Sequence, residues 1–150
     1  MKSKMNYINA APDAFQAMMT ISEYVQECGL EKSILELVKI RASQINGCAF
    51  CLDMHTRDAR NAGEREDRLY LLPAWRETEL YTPQERAALA WTEALTTIDP
   101  REIDPSFDEV REHFTDDEMA KLALAIGVIN VWNRINIAFG VTVAAKKAAA

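Results

Sequence analysis

Gln44-Ile45-Asn46-Gly47-Cys48-Ala49-Phe50-Cys51-Leu52-Asp53-Met54-His55 holds a helix stop and a helix start within a few residues. Gly47 breaks the preceding periodic segment, which predicts one helix from about Glu31 to Ile45, stopping near Asn46-Gly47. The next begins at the cysteines and ends near Asn61-Ala62-Gly63, where glycine again suits a stop. On a helix advancing about 100° per residue, Cys48, Cys51 and His55 project within an arc of roughly 60°. Two sulfurs and an imidazole on one face can do dithiol chemistry: the sulfurs bridge while a neighbouring base removes a proton.

The same punctuation recurs outward along the chain, whereas alternating strand-like runs rich in Val, Ile and Thr are nearly absent, so the fold class is all-α. Pro12 and Gly29 bracket a first helix near Asp13 to Cys28, with Phe15, Met18, Met19 and Val25 on its apolar stripe. A short helix is expected around Arg65 to Leu72, before Pro73. Thr82-Pro83-Gln84-Glu85 is a capping box with proline at the first helical position, which predicts a helix from Pro83 to about Thr96. Asp104-Pro105 is expected to open another short one. Thr115-Asp116-Asp117-Glu118 repeats the capping logic and starts the longest helix, to about Phe139-Gly140. Its apolar residues occupy most of the circumference, which predicts a place inside a bundle or a subunit interface, with Asn130, Asn133 and Arg134 requiring partners there.

With 150 residues and 49% apolar content, the chain has the size of one domain, 1–150 with its core at about 12–140. A net charge of −6 and a pI near 5.0 argue against nucleic acid as a partner, because phosphate binders cluster Lys and Arg. Ala123 to Val131 approaches a membrane-spanning run, but Lys121 on one side and Asn130, Asn133, Arg134 and Asn136 on the other interrupt it, so no membrane association is expected. Met1 to Ala11 lacks a secretory apolar run, which predicts a reducing, cytoplasmic location, where three cysteines are not a disulfide framework. The last residues, Ala145 to Ala150, read as a frayed tail.

The order of attack of the two thiols stays open on sequence geometry. A helix N-terminus favours a thiolate at Cys48, while His55 stands four residues from Cys51 and meets it most directly. Three other uses of the segment compete. Buried structural thiols rarely need a histidine on their face. A zinc site would have to recruit Glu36, Cys28 or His113, since no second Cys or His pair stands at ligand spacing. A thioredoxin-like domain would need strands. Cys28 reads as a small semi-buried residue, His113 as a surface or helix-end contact, and Phe50 and Met54 as packing around the sulfurs. A helical wheel puts Glu36 off the arc of Ile34, Leu35, Leu37, Val38, Ala42 and Ile45, which predicts exposure; Arg41 falls inside it, which predicts a buried ion pair or an interface contact.

The stretch from Glu36 through Cys48-Ala49-Phe50-Cys51 to His55 resembles the core motif of the AhpD-like alkylhydroperoxidases, within the carboxymuconolactone decarboxylase superfamily. In that motif a glutamate stands twelve residues before the first cysteine of CxxC, and a histidine follows the second cysteine after three more residues; all four positions match. Trp132-Asn133-Arg134 is also similar to single-domain members. The resemblance implies an all-helical fold, homotrimers or homohexamers, and peroxidase or thiol-disulfide activity without metal, haem or other cofactor. It implies Cys51 as peroxidatic thiol, Cys48 as resolving thiol, His55 as base and Glu36 as part of a proton relay. The partners it implies are a hydroperoxide substrate and an external dithiol reductant, lipoyl-bearing proteins among them. Phe50 departs from relatives with a second histidine there, so a relay step through that histidine is absent or replaced by water. A lactone decarboxylase and a non-enzymatic redox-sensing helical module remain as alternative functions.

Overall fold

Proline, capping side chains and left-handed glycines set the helix boundaries in the computed structural model, which describes residues 3–143. The order is α1 (Tyr7–Ala10), α2 (Pro12–Glu27), α3 (Lys32–Asn46), α4 (Ala49–Asn61), α5 (Glu66–Leu71), a 3₁₀ segment (Leu72–Glu77), α6 (Pro83–Thr97), α7 (Pro100–Val110) and α8 (Asp116–Phe139). No strand occurs among the described residues, so the fold is all-α with a long C-terminal helix. Both capping boxes form: Thr82 and Thr115 accept from the backbone N–H of Glu85 and Glu118, whose carboxylates accept from the cap residues' own N–H groups. The tail from Ala145 onward lies outside the described residues.

Three segments differ from expectation. Asn6 caps the short α1, a turn that carried no periodic signal. The chain continues past Leu71 as a 3₁₀ segment that takes Pro73 into its first positions, where no N–H is needed. The helix expected to open at Asp104-Pro105 starts instead at Pro100, capped by the Asp99 side chain on Arg101 N–H, and Pro105 lies inside it. The carbonyl that Pro105 leaves unbonded belongs to Arg101, which is exposed and open to water.

α3 packs against α4, α6 and α8 and is the central helix of the domain. Its burial is therefore not confined to one stripe: Ile34 to Ile40, Ala42 and Ser43 are all buried. On one side Leu35 and Val38 join Ala88, Leu122 and Ile126 of α6 and α8. On another, Leu37 and Ile40 meet Leu69, Leu72, Trp75 and Leu89. A third, smaller cluster consists of Ala42, Cys48, Cys51 and Ile129, with Phe50 and Trp132 packed against it. The cysteines are thus part of the core.

α8 is long and apolar enough to cross a membrane by length and composition, with a mean hydropathy of 1.4 over its most apolar window. Its asparagines mark it as a core helix instead. Asn130 donates to Thr96 Oγ1 at 3.0 Å, and Asn133, with no exposed surface, donates to Ser43 Oγ at 2.9 Å. Asn46, the last residue of α3, donates to the side-chain oxygens of both, at 2.8 and 2.9 Å. Arg134 donates to Asn130 Oδ1 at 3.0 Å. These residues have the partners their burial demands, and they tie the end of α3 to α8 immediately before the turn that carries the cysteines.

Candidate redox site

Gly47 takes φ 70° and ψ 30°, the left-handed conformation that side chains resist. Cys48 N–H then bonds to Ser43 O at 3.0 Å, and Cys48 becomes the N-cap of α4. Its sulfur accepts from Cys51 N–H at 3.4 Å. Cys48 therefore stands just outside the helix, not on the helical face that spacing alone implies. It occupies the position where first-turn N–H groups favour an anion. Cys48 and Cys51 are joined as a disulfide with Cα atoms 5.4 Å apart.

Both sulfur-bearing residues are buried, 1% and 0% exposed, in an apolar cluster. Such surroundings disfavour a thiolate unless donors reach it. Cys51 Sγ has one: Asn136 Nδ2 of α8, at 3.4 Å. Phe50 packs on this cluster as expected, whereas Met54 is 37% exposed and points away from a packing role, because α4 presents that position to solvent.

One turn beyond Cys51, His55 is buried and its Nδ1 lies 2.9 Å from Glu36 Oε2. The predicted exposure of Glu36 is overturned: it is 8% exposed, because α3 is covered on every side and the wheel arc marks only its most apolar face. The other carboxylate oxygen accepts from Lys39 Nζ at 2.8 Å, and Lys39 also donates to Gln26 Oε1 at 2.7 Å. Burial pushes the Glu36 carboxyl up, but the His55 hydrogen bond and the Lys39 ammonium outweigh it and hold it below its ordinary value. An ionised carboxylate only accepts, so Nδ1 carries the proton and Nε2 of a neutral imidazole is left as an acceptor. Among the described residues His55 makes no hydrogen bond to the bridged sulfurs; its partner is Glu36.

Glu36, His55 and Asp58 offer ligand atoms within 4.8 Å of one another, the grouping a metal site would use. Lys39 already supplies the positive charge that Glu36 faces, and neither cysteine belongs to this group. Arg41 pairs with Glu93 at 2.7 Å, the ion pair its place on the wheel predicts. Cys28 is a buried core residue at the C-cap of α2, and His113 lies half-buried in the turn after α7. Neither joins the cysteine pair.

Of the expected residues, the structure bridges Cys48 to Cys51 and pairs Glu36 with His55 on adjoining turns of α3 and α4. Sequence reasoning missed Lys39, Asn136 and Tyr7, whose hydroxyl donates to Asn136 Oδ1 at 3.2 Å. For Asn136 the recurrence of asparagine at 130, 133 and 136 on an apolar helix was a usable signal.

Residues 12–94, over half the chain, match the carboxymuconolactone decarboxylase family. The uncharacterized protein YdfG of Bacillus subtilis is 44% identical over 97% of this chain and 100% of its own length. A crystal structure of an Agrobacterium tumefaciens protein of unknown function, suggested to be an antioxidant defence protein AhpD, superposes with a TM-score of 0.93 at 45% identity, covering 97% of this chain and 100% of that one. The debrominase Bmp8 shares the fold, with a TM-score of 0.81 at 18% identity over 92% of this chain and 75% of that one. The chain belongs to the carboxymuconolactone decarboxylase family and has the AhpD-like fold.

Proposed function

We propose that the protein is a peroxidase or thiol-disulfide oxidoreductase of the AhpD-like alkylhydroperoxidase type, working through the Cys48–Cys51 pair. The observation that carries this reading is a bridged CxxC at a helix N-cap, one turn from a histidine whose Nδ1 is held by a buried glutamate. In the reduced protein His55 takes the proton of the Cys51 thiol, and the thiolate attacks the terminal oxygen of a hydroperoxide. The O–O bond breaks, and the departing alkoxide takes the proton from the imidazolium. Cys51 is left as a sulfenic acid. The Cys48 sulfur then displaces hydroxide from the Cys51 sulfur, and that hydroxide leaves as water with the Cys48 proton. The two thiols have supplied two electrons, so peroxide becomes alcohol and water with no metal or haem. An external dithiol, such as a lipoyl group, reopens the bridge by exchange. A reducing compartment such as the cytoplasm suits that cycle. Self-association as trimers or hexamers belongs to the same reading and rests on the family resemblance.

The test is peroxide consumption by wild type, Cys51→Ser and Cys48→Ser with dihydrolipoamide as reductant. Cys51→Ser is expected to consume no peroxide. Cys48→Ser is expected to complete one turnover and accumulate a sulfenic acid that dimedone traps. The opposite pattern reverses the order of attack, and a wild type inert toward all peroxides removes the peroxidase reading.

A further inference from the structure

The segment ahead of α2 is fastened to the end of α8. Lys4 N–H donates to Phe139 O at 2.9 Å, Lys4 Nζ donates to Ala138 O at 3.3 Å, and the Tyr7 ring stacks on Phe139 with centroids 5.4 Å apart. Between this segment, α4 and α8 lies a cavity of about 450 Å³, lined by Met5, Tyr7, Ile8, Phe50, Asn136 and Val141 among others. Its size falls in the range of small-molecule sites, and most of these side chains are hydrocarbon or aromatic. Phe50 and Asn136 border both this cavity and the sulfur cluster. A second cavity, of about 500 Å³, is lined by Glu36, Asp58 and Ala62 and has neither of those residues in its wall.

The amide of Asn136 has a fixed sense. Tyr7 O–H donates to its oxygen, which leaves the nitrogen facing Cys51 Sγ at 3.4 Å. Burial raises the Tyr7 phenol above its ordinary value, so the hydroxyl keeps the proton it donates. A thiolate at Cys51 would then find an oriented N–H waiting in otherwise apolar surroundings.

We propose that this cavity binds the hydrocarbon part of an organic hydroperoxide, with Asn136 as a positioning residue that directs an N–H onto the Cys51 sulfur and Tyr7 as the group that fixes that amide. The proposal rests on the peroxidase reading. Hydrogen peroxide has no apolar part to bury there, so organic hydroperoxides gain binding that it does not.

The experiment has one arm independent of turnover. Full-length wild type is titrated with 2-phenyl-2-propanol, the unreactive alcohol product of cumene hydroperoxide, and followed by amide NMR. Saturable shifts at Phe50, Val141 and the Asn136 side chain are expected; no saturable shift, or shifts centred on Glu36 and Ala62, overturn the assignment. In the second arm, Ile8→Trp fills the cavity. The ratio of kcat/KM for cumene hydroperoxide to that for hydrogen peroxide is expected to fall about tenfold. An unchanged ratio overturns the proposal. In the third arm, Tyr7→Phe and Asn136→Ala, each combined with Cys48→Ser, are expected to raise the Cys51 thiol titration followed by thiolate absorbance. An unmoved titration removes the positioning role. If wild type consumes no peroxide at all, the hydroperoxide assignment falls with the peroxidase reading. If it consumes every peroxide and the alcohol does not bind, the cavity proposal fails alone.

Discussion

Glu36→Gln keeps the shape of a buried side chain and removes one acceptor. The carboxylate accepts from His55 Nδ1 at 2.9 Å and from Lys39 Nζ at 2.8 Å. An amide has a single oxygen, so its NH₂ must face one of these two groups. If the oxygen stays with Lys39, the NH₂ forces Nδ1 to accept, the imidazole proton moves to Nε2, and the proposed base is lost. If the oxygen stays with His55, the NH₂ meets an ammonium that retains only Gln26 Oε1. The first outcome costs on the order of 10²–10⁴ in kcat/KM, the range for a general base or its orienting carboxylate. The second costs about 1–3 kcal/mol, which lowers the melting temperature of a domain this size by roughly 2–12 °C. The lysine retains one partner, so the lower half of that range is expected. Since the folded carboxyl lies below its ordinary value of 4.5, its stabilisation is complete above about pH 4.5 and is lost as pH falls through the folded value. The gap in stability between wild type and variant should therefore be constant near neutrality and close on acidification. Stopped-flow peroxide consumption and thermal melts at pH 7 and pH 4 read both effects. A variant within threefold of wild type in kcat/KM, with an unchanged melt, would refute the claim that this carboxylate orients the histidine or matters to the fold.

Gly47→Ala meets no neighbouring atom but must adopt φ 70°, so it should cost about 1 kcal/mol and lower the melting temperature by a few degrees; an unchanged melt would mean the turn relaxes. Asn133→Ala takes the amide donor from the buried Ser43 hydroxyl and leaves Asn46 with Asn130 alone, and should cost about 1–3 kcal/mol, seen in urea unfolding as a lower midpoint at constant slope; a midpoint equal to wild type would mean that water replaces the amide.

The features legible in the sequence are those written within one helix. Thr82 with Glu85, and Thr115 with Glu118, are three residues apart and close their caps wherever the rest of the chain lies. The spacing of Cys48, Cys51 and His55 is likewise local. Pro105 misled because a proline favours a first turn but does not forbid a later one when the freed carbonyl is exposed. The wheel failed at Glu36 because it assumes one buried face, while α3 has three helices around it. Only the family resemblance placed Glu36 in the site. Tyr7 and Asn136 meet across 129 residues of chain, a contact no local pattern encodes.

These two kinds of residue divide one task. In the proposed cycle, moving the Cys51 proton to His55 turns two neutral groups into an ion pair inside a region nearly closed to water, where unpaired charges are costly. Helix spacing alone brings the two reacting groups to neighbouring turns of α4. It provides nothing to receive the charges that form. The imidazolium is met by Glu36 from α3, and the thiolate by the Asn136 amide from α8, each already oriented by a further partner, Lys39 on one side and Tyr7 on the other. Orientation before the reaction means that little reorganisation is needed when the charges appear. That requires α3 and α8 to be held together beside α4, and the Asn46 hydrogen bonds to Asn130 and Asn133 tie α3 to α8 next to the Gly47 turn that leads into α4. Loosening that lock should therefore slow the chemistry before it unfolds the domain.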